Sequence, residues 1–157
     1  MTIESERALF ERKLQELYYI ERQLDDFQAK LADEATDDDV RDFFAGHHQT
    51  TTEQLDRIER AFEAINADPT PRESAQLEAI MDERERLVAD VERADLDDLD
   101  DTEIGRAIER LEVTKLETLL ELARRLKLDS EVTDDLERSR VEAENAIETT
   151  QELTASY

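Results

Sequence analysis

The stretch LFERKLQELYYIERQLDDFQAKL, residues 9–31, decides the fold. Phe10, Leu14, Leu17, Glu21, Leu24, Gln28 and Leu31 recur at alternating steps of four and three. That spacing places them on one stripe of a helix that packs against other helices. Neither Gly nor Pro interrupts the pattern, which predicts a helix over 3–33. Further along, Thr36 precedes Asp37, Asp38 and Asp39, acids that suit the positive end of a helix dipole. The stripe that follows runs Val40, Phe44, His47, Thr51, Leu55, Ile58, Phe62, Ile65, and NADPTP (66–71) ends it, because proline cannot continue a helix.

Residues 72–93 predict a third helix with a thinner face of Leu77, Ile80, Met81, Leu87, Val88 and Val91. ADLDDLDD (94–101) reads as an acid-rich turn. A fourth helix is expected from Thr102 to Leu126, with Ile104, Ile108, Leu111, Leu119, Leu122 and Leu126 inward. After a break at Asp129 and Ser130, a fifth runs from Glu131 to Thr154, with Val132, Leu136, Ala143, Ile147 and Leu153 inward. No segment alternates with the period of two that marks a strand. The sequence is therefore expected to be all-α: four long helices, with the 72–93 segment as a connection between two pairs, in one domain over 1–157. That connectivity is the ferritin-like arrangement.

Composition narrows the function. The 157 residues carry 44 acidic and 20 basic side chains, a net charge of −24. With no Cys, a thiolate metal site and a cysteine nucleophile are excluded, and two glycines cannot build a phosphate loop. No apolar run approaches the roughly 18–20 residues of a membrane span. The start, MTIESERALF, lacks the blocks of a signal peptide, so a cytoplasmic location is expected. Nucleic acid is not an expected partner, because phosphate contacts need clustered Lys and Arg. Acids spread along a periodic chain fit a protein from a high-salt cytoplasm, where screening shortens the Debye length to about 3 Å at 1 M.

The polar residues on apolar stripes are the candidates for function. Glu21 lies between Leu17 and Leu24, where a carboxylate is desolvated unless it is paired or bound to metal. His47 lies between Phe44 and Thr51, while His48 is expected to face outward. Glu109 and Glu112 stand at i, i+3 on one side of the fourth helix. Glu142 is three residues after Ser139 and four before Ala146, two small inward residues. Carboxylates and an imidazole from facing helices are how bundle di-metal sites are built, but those sites also use Glu-x-x-His, which this chain lacks.

With those residues in view, the chain resembles the YciE/YciF family of ferritin-like, rubrerythrin-like proteins. The resemblance is carried by LFERKLQELYYIERQL (9–24), FFAGHHQTTTEQLDRIERAFE (43–63), AIERLEVTKLETLLELARRLKLD (107–129) and, more loosely, LERSRVEAEN (136–145). It implies a four-helix bundle with a short connecting helix, a tendency to dimerise and a link to stress responses. A di-iron role is inferred for many members. Glu21, His47, Glu109, Glu112 and Glu142 match positions of the family's ligand pattern. Thr50 stands where a Glu is usual, Arg110-Leu111 replace a His-Tyr pair, and Lys115 replaces a small residue. The expectation is a degenerate di-metal site and no cofactor, with Lys115 replacing the metal's charge among Glu21, Glu112 and Glu142, and Arg110 pointing aside. The protein would then act in binding or structure. The alternative is an oxidoreductase, ferroxidase or peroxidase-like, holding iron or another divalent metal on the surviving ligands. A homodimer is expected, with Tyr18, Phe27 and Phe43 as contacts.

Overall fold

The computed structural model describes residues 2–157; Met1 lies outside them. They form five helices: α1 (Glu6–Glu34), α2 (Asp38–Ala64), α3 (Ala75–Asp90), α4 (Ala94–Arg125) and α5 (Ser130–Ala155). There is no strand among the described residues. Local chemistry sets the starts. The side chains of Ser5, Asp37 and Ser74 accept from Ala8 N, from Asp39 N and Val40 N, and from Leu77 N, each satisfying amides that a helix start leaves free.

The ends of α2 and α4 share one device. Asn66 N donates to Glu63 O and Ala67 N to Phe62 O, both at 3.0 Å; Lys127 N donates to Arg124 O at 3.1 Å and Leu128 N to Ala123 O at 3.0 Å. These paired bonds close each helix through a left-handed residue, Asn66 at φ 55° and Lys127 at φ 53°.

The stretch 94–101, expected as a turn, is instead the opening of α4. Its acids find partners that the local sequence does not reveal. Asp98 accepts from Thr36 N, Thr36 Oγ1 and Asp37 N at 3.0, 2.6 and 2.7 Å, and so caps the start of α2. Asp101 accepts from Arg84 Nε at 2.8 Å. With Asp98 and Asp101 satisfied, and with Asp95 and Asp97 at the positive end of the dipole, the segment opens the helix rather than ending as a turn.

Two apolar clusters hold the helices together. One joins Phe10, Leu14 and Leu17 of α1 to Ile58 and Phe62 of α2, Leu116, Leu119 and Leu120 of α4, and Val132 and Leu136 of α5. The other joins Ile20, Leu24, Phe27 and Leu31 of α1 to Val40 and Phe44 of α2, Leu77 of α3, and Ile104 and Ile108 of α4. The start of α1 thus meets the end of α4, and the end of α2 meets the start of α5, so each of these pairs runs antiparallel. α3 lies antiparallel along the first half of α4, as the Leu77–Ile108 and Arg84–Asp101 neighbourhoods require. Each large side chain buried here contributes about 1.5–3 kcal/mol of transfer free energy. The expected inward residues Ile147 and Leu153 are only half-buried, and α5 closes with small residues instead: Ser139, Ala143, Ala146 and Thr150. No described helix is long and apolar enough to cross a membrane.

Candidate functional site

On α2 and α4 the positions between the two apolar clusters are polar and buried. His47, Thr51, Gln54 and Arg57 line α2; Glu109, Glu112 and Lys115 line α4. Glu21 joins them from α1 at 2 % exposure, and Ser139 from α5. The alternation of these helices around a shared axis makes the interior polar at this level.

Two of the five candidate residues meet each other. His47 Nε2 is hydrogen-bonded to Glu109 Oε1. Burial works against a charged imidazole here, but the Glu109 charge and hydrogen bond, with Glu142 behind them, hold the His47 pKa above its ordinary value. The pair is a buried imidazole–carboxyl hydrogen bond from α2 to α4. The Phe43 ring stacks on His47 with centroids 5.6 Å apart.

Glu142 goes to α2. Its Oε2 accepts from Arg57 Nη1 at 2.8 Å and from Gln54 Nε2 at 3.1 Å, and Arg57 Nη1 also donates to Ser139 Oγ at 3.2 Å. Arg57 is 5 % exposed. Glu21 and Glu112 have no such partners: Glu21 Oε2, both oxygens of Glu112 and Glu109 Oε2 are buried without a hydrogen bond. Burial alone pushes the Glu112 pKa up to about 8, so this carboxyl is protonated at neutral pH. Among the described residues, no three His, Asp or Glu side chains are grouped so as to hold a metal ion.

Lys115 does not go where its spacing from Glu112 suggested. Its Nζ donates to Glu16 Oε2 on α1 at 2.6 Å. Glu16 also accepts from Arg12 at 3.1 Å and Lys13 at 3.4 Å. Desolvation opposes ionisation of Glu16, yet Lys115, with Lys13 and Arg12 beside it, holds the pKa below the usual range. An acid already ionised and at the protein's edge is the better partner for an ammonium that would otherwise be stranded in the interior. Arg110 is exposed, as its angular position implied, and His48 is half-buried, with Nδ1 donating to the Asp25 carbonyl at 3.1 Å.

The expected dimer contacts fare differently. Tyr18 and Phe27 are buried within the chain: Tyr18 packs edge-on against Phe62 at 5.7 Å and donates to Glu59 at 3.1 Å, and Phe27 lies under the Arg84 guanidinium at 5.3 Å. Only Phe43 is partly open.

The residues that the sequence reading missed are Arg57, Gln54 and Glu16; Gln28 and Thr51 stand on the predicted inward stripes, and the structure joins them at 2.8 Å. One signal was present. His47, Thr51, Gln54 and Ile58 continue the steps of four, three and four, so Gln54 belongs to the stripe in place of Leu55, which is half-buried. A shallow cleft of 370 Å³ between α2 and α5 leads to His47 and Glu142, past Gly46, Thr50 and Asn145.

The fold is shared with solved structures. The structure of YcfI, described as a candidate structural protein from Rhodopseudomonas palustris, is 20 % identical and superposes with a TM-score of 0.90 over 95 % of this chain and 94 % of that one. The Escherichia coli stress protein YciF is 21 % identical, with a TM-score of 0.89 over 98 % and 96 %. A protein from Xanthomonas campestris pv. campestris is 18 % identical, with a TM-score of 0.76 over 96 % and 91 %. None of the curated proteins matches the chain. The model of the family described as a domain of unknown function, DUF892, matches residues 5–156, and this all-α chain, folded like YciF, belongs to that family.

Proposed function

We propose that this protein is a ferritin-like, stress-associated bundle of four helices with α3 as an added connecting helix. Its di-metal site has degenerated, and it acts as a binding or structural protein. The observation that carries the reading is Arg57, whose guanidinium sits on Glu142 at 2.8 Å. A cation supplied by the chain stands on a carboxylate that a metal would need. His47 is likewise committed to Glu109. The residues present therefore do not fit a two-metal centre, which needs ionised carboxylates free to converge. The link to stress rests on the shared fold with a stress protein. A salty cytoplasm, supported by the net charge of −24, and a homodimer through the partly open edge at Phe43 are part of the same reading.

The test is metal analysis of protein purified without chelator and then reloaded with Fe(II) under argon. Expected are metal well below one ion per chain and a melting temperature unmoved by iron or by chelator. Two irons per chain, with oxidation of added Fe(II) by oxygen, would overturn it. That outcome would establish the rival, a di-iron oxidoreductase. The orphaned oxygens of Glu21, Glu109 and Glu112 favour that rival, because they leave buried acceptors without a donor.

A further inference from the structure

Away from the polar interior, the α3–α4 hairpin carries a second feature. A groove of 390 Å³ runs between the last turns of α3 and the first turns of α4. Leu87 and Val91 form one wall and Leu96 and Leu99 the other, and Arg106 closes the α5 end by donating to Thr154 Oγ1 at 3.1 Å. Leu87 is 37 % exposed and Leu96 42 %, two of the few large hydrophobic side chains that the described residues leave open. Apolar side chains gathered in a concave surface, in a chain otherwise covered by charge, mark a place where something binds.

The charge around the groove selects the occupant. Between Asp82 and Glu103 the sequence has eleven acids and three arginines. Arg84 is buried and held by Asp101 and Glu34, and Arg93 is held by Asp95, which leaves exposed Arg86 as the one arginine of the three set against the eleven acids. Asp100 and Glu103 stand on the groove itself. Asp100 Oδ2 is buried without a hydrogen bond, an acceptor waiting for a donor. Burial, Glu103 and Asp101 together push the Asp100 pKa up to about 6. A cation brought to this rim would relieve that repulsion. A second copy of this chain would bring more acid instead.

We propose that the groove between α3 and α4 is a docking site for a basic amphipathic helix of a partner protein, with apolar side chains between Leu87, Val91, Leu96 and Leu99 and Lys or Arg on Asp100 and Glu103. This is helix-in-groove recognition, with affinity from the apolar anchors and selection from charge. It is independent of whether the interior binds metal.

The probe is a fluorescein-labelled peptide of 18 or so residues with Leu and Lys at helical spacing, a length of about 27 Å when helical. Two controls accompany it: the same composition scrambled to remove the apolar face, and a Leu/Glu version. Anisotropy in 0.15 M KCl is expected to show the amphipathic basic peptide binding at least tenfold more tightly than either control, with the margin over the Leu/Glu version narrowing in 1 M KCl. The double variant Leu87→Gln/Leu96→Gln adds no charge and touches exposed positions; it should weaken binding at least tenfold. Glu103→Lys should weaken it, while Glu63→Lys, the same charge change at the far end of α2, should not. Amide shift mapping on the unmodified protein covers the case of a variant that folds poorly, and the perturbed residues should fall between Leu87 and Arg106. Equal binding of the scrambled peptide, shifts spread over the whole acidic surface, or a dimer of this chain that the Leu87→Gln/Leu96→Gln pair dissociates would each overturn the proposal.

Discussion

Glu112→Gln isolates the cost of a buried acid. Glu112 is 1 % exposed, neither of its oxygens has a partner, and burial moves its pKa from 4.5 up to about 8. The unfolded chain releases this proton near pH 4.5, whereas the folded chain keeps it until about pH 8. Folded protein therefore binds more protons between those values, and stability falls as pH rises through that window. Each pH unit is about 1.4 kcal/mol, so between pH 4.5 and 7 this one group removes about 3 kcal/mol, with little further loss above pH 8. Glutamine has nearly the same shape and cannot ionise. Urea unfolding followed by helix ellipticity, in 1 M KCl with chelator at pH 4.5 and pH 7, gives the comparison directly. The stability difference between variant and parent should shift toward the variant by about 3 kcal/mol on going to pH 7. Other titrating groups are common to both proteins and cancel. Parallel pH profiles would refute the reasoning, because they would mean that Glu112 is ionised inside the folded protein and held by a cation.

The net charge of −24 on 157 residues predicts a melting temperature that rises markedly from millimolar to molar KCl, measured by calorimetry; a flat response would remove the high-salt reading. Arg84 is 3 % exposed and bonded to Asp101 at 2.8 Å, so Arg84→Met should cost about 3–5 kcal/mol in urea unfolding. Adding Asp101→Asn should recover much of that loss, and a double variant no better than the single would contradict it. Lys127 closes α4 at φ 53° without being glycine, and Lys127→Gly should raise stability by about 1 kcal/mol; a loss would mean that its side chain matters more than its backbone strain.

How much of this could be read from sequence depended on how far away each residue's partner lies. The 4-3 stepping from Phe10 to Leu31 needs no partner, because periodicity alone assigns a face, and all seven of those residues are buried. The turn expected at 94–101 went wrong for the opposite reason. Asp98 and Asp101 look like capping acids until Thr36 and Arg84 are brought to them from 62 and 17 residues away. Lys115 shows the same limit. Its spacing from Glu112 is real, but an ammonium on a flexible stem chooses among acids in space, and the one it takes, Glu16, is 99 residues away. Gln54 and Arg57 were hidden because a search for apolar periodicity prefers Leu55, although the polar residues hold the stripe.

The polar middle of the helices then follows from where the cations are rather than from where the acids are. Four carboxylates, Glu21, Glu109, Glu112 and Glu142, project from three helices toward positions between the apolar clusters. Like charges confined in a low dielectric raise one another's pKa unless positive charge is present. The chain supplies that charge from α2 alone: Arg57 to Glu142 on α5, and His47 to Glu109 on α4. Only Glu21 and Glu112 are left without a cation, and burial alone keeps the proton on Glu112. Each α2 contact also fixes that helix against a different neighbour, with Thr51 to Gln28 adding the contact to α1. Arg57, His47 and Thr51 thus tie α2 to α5, α4 and α1 with side chains of its own, at the level between the two apolar clusters.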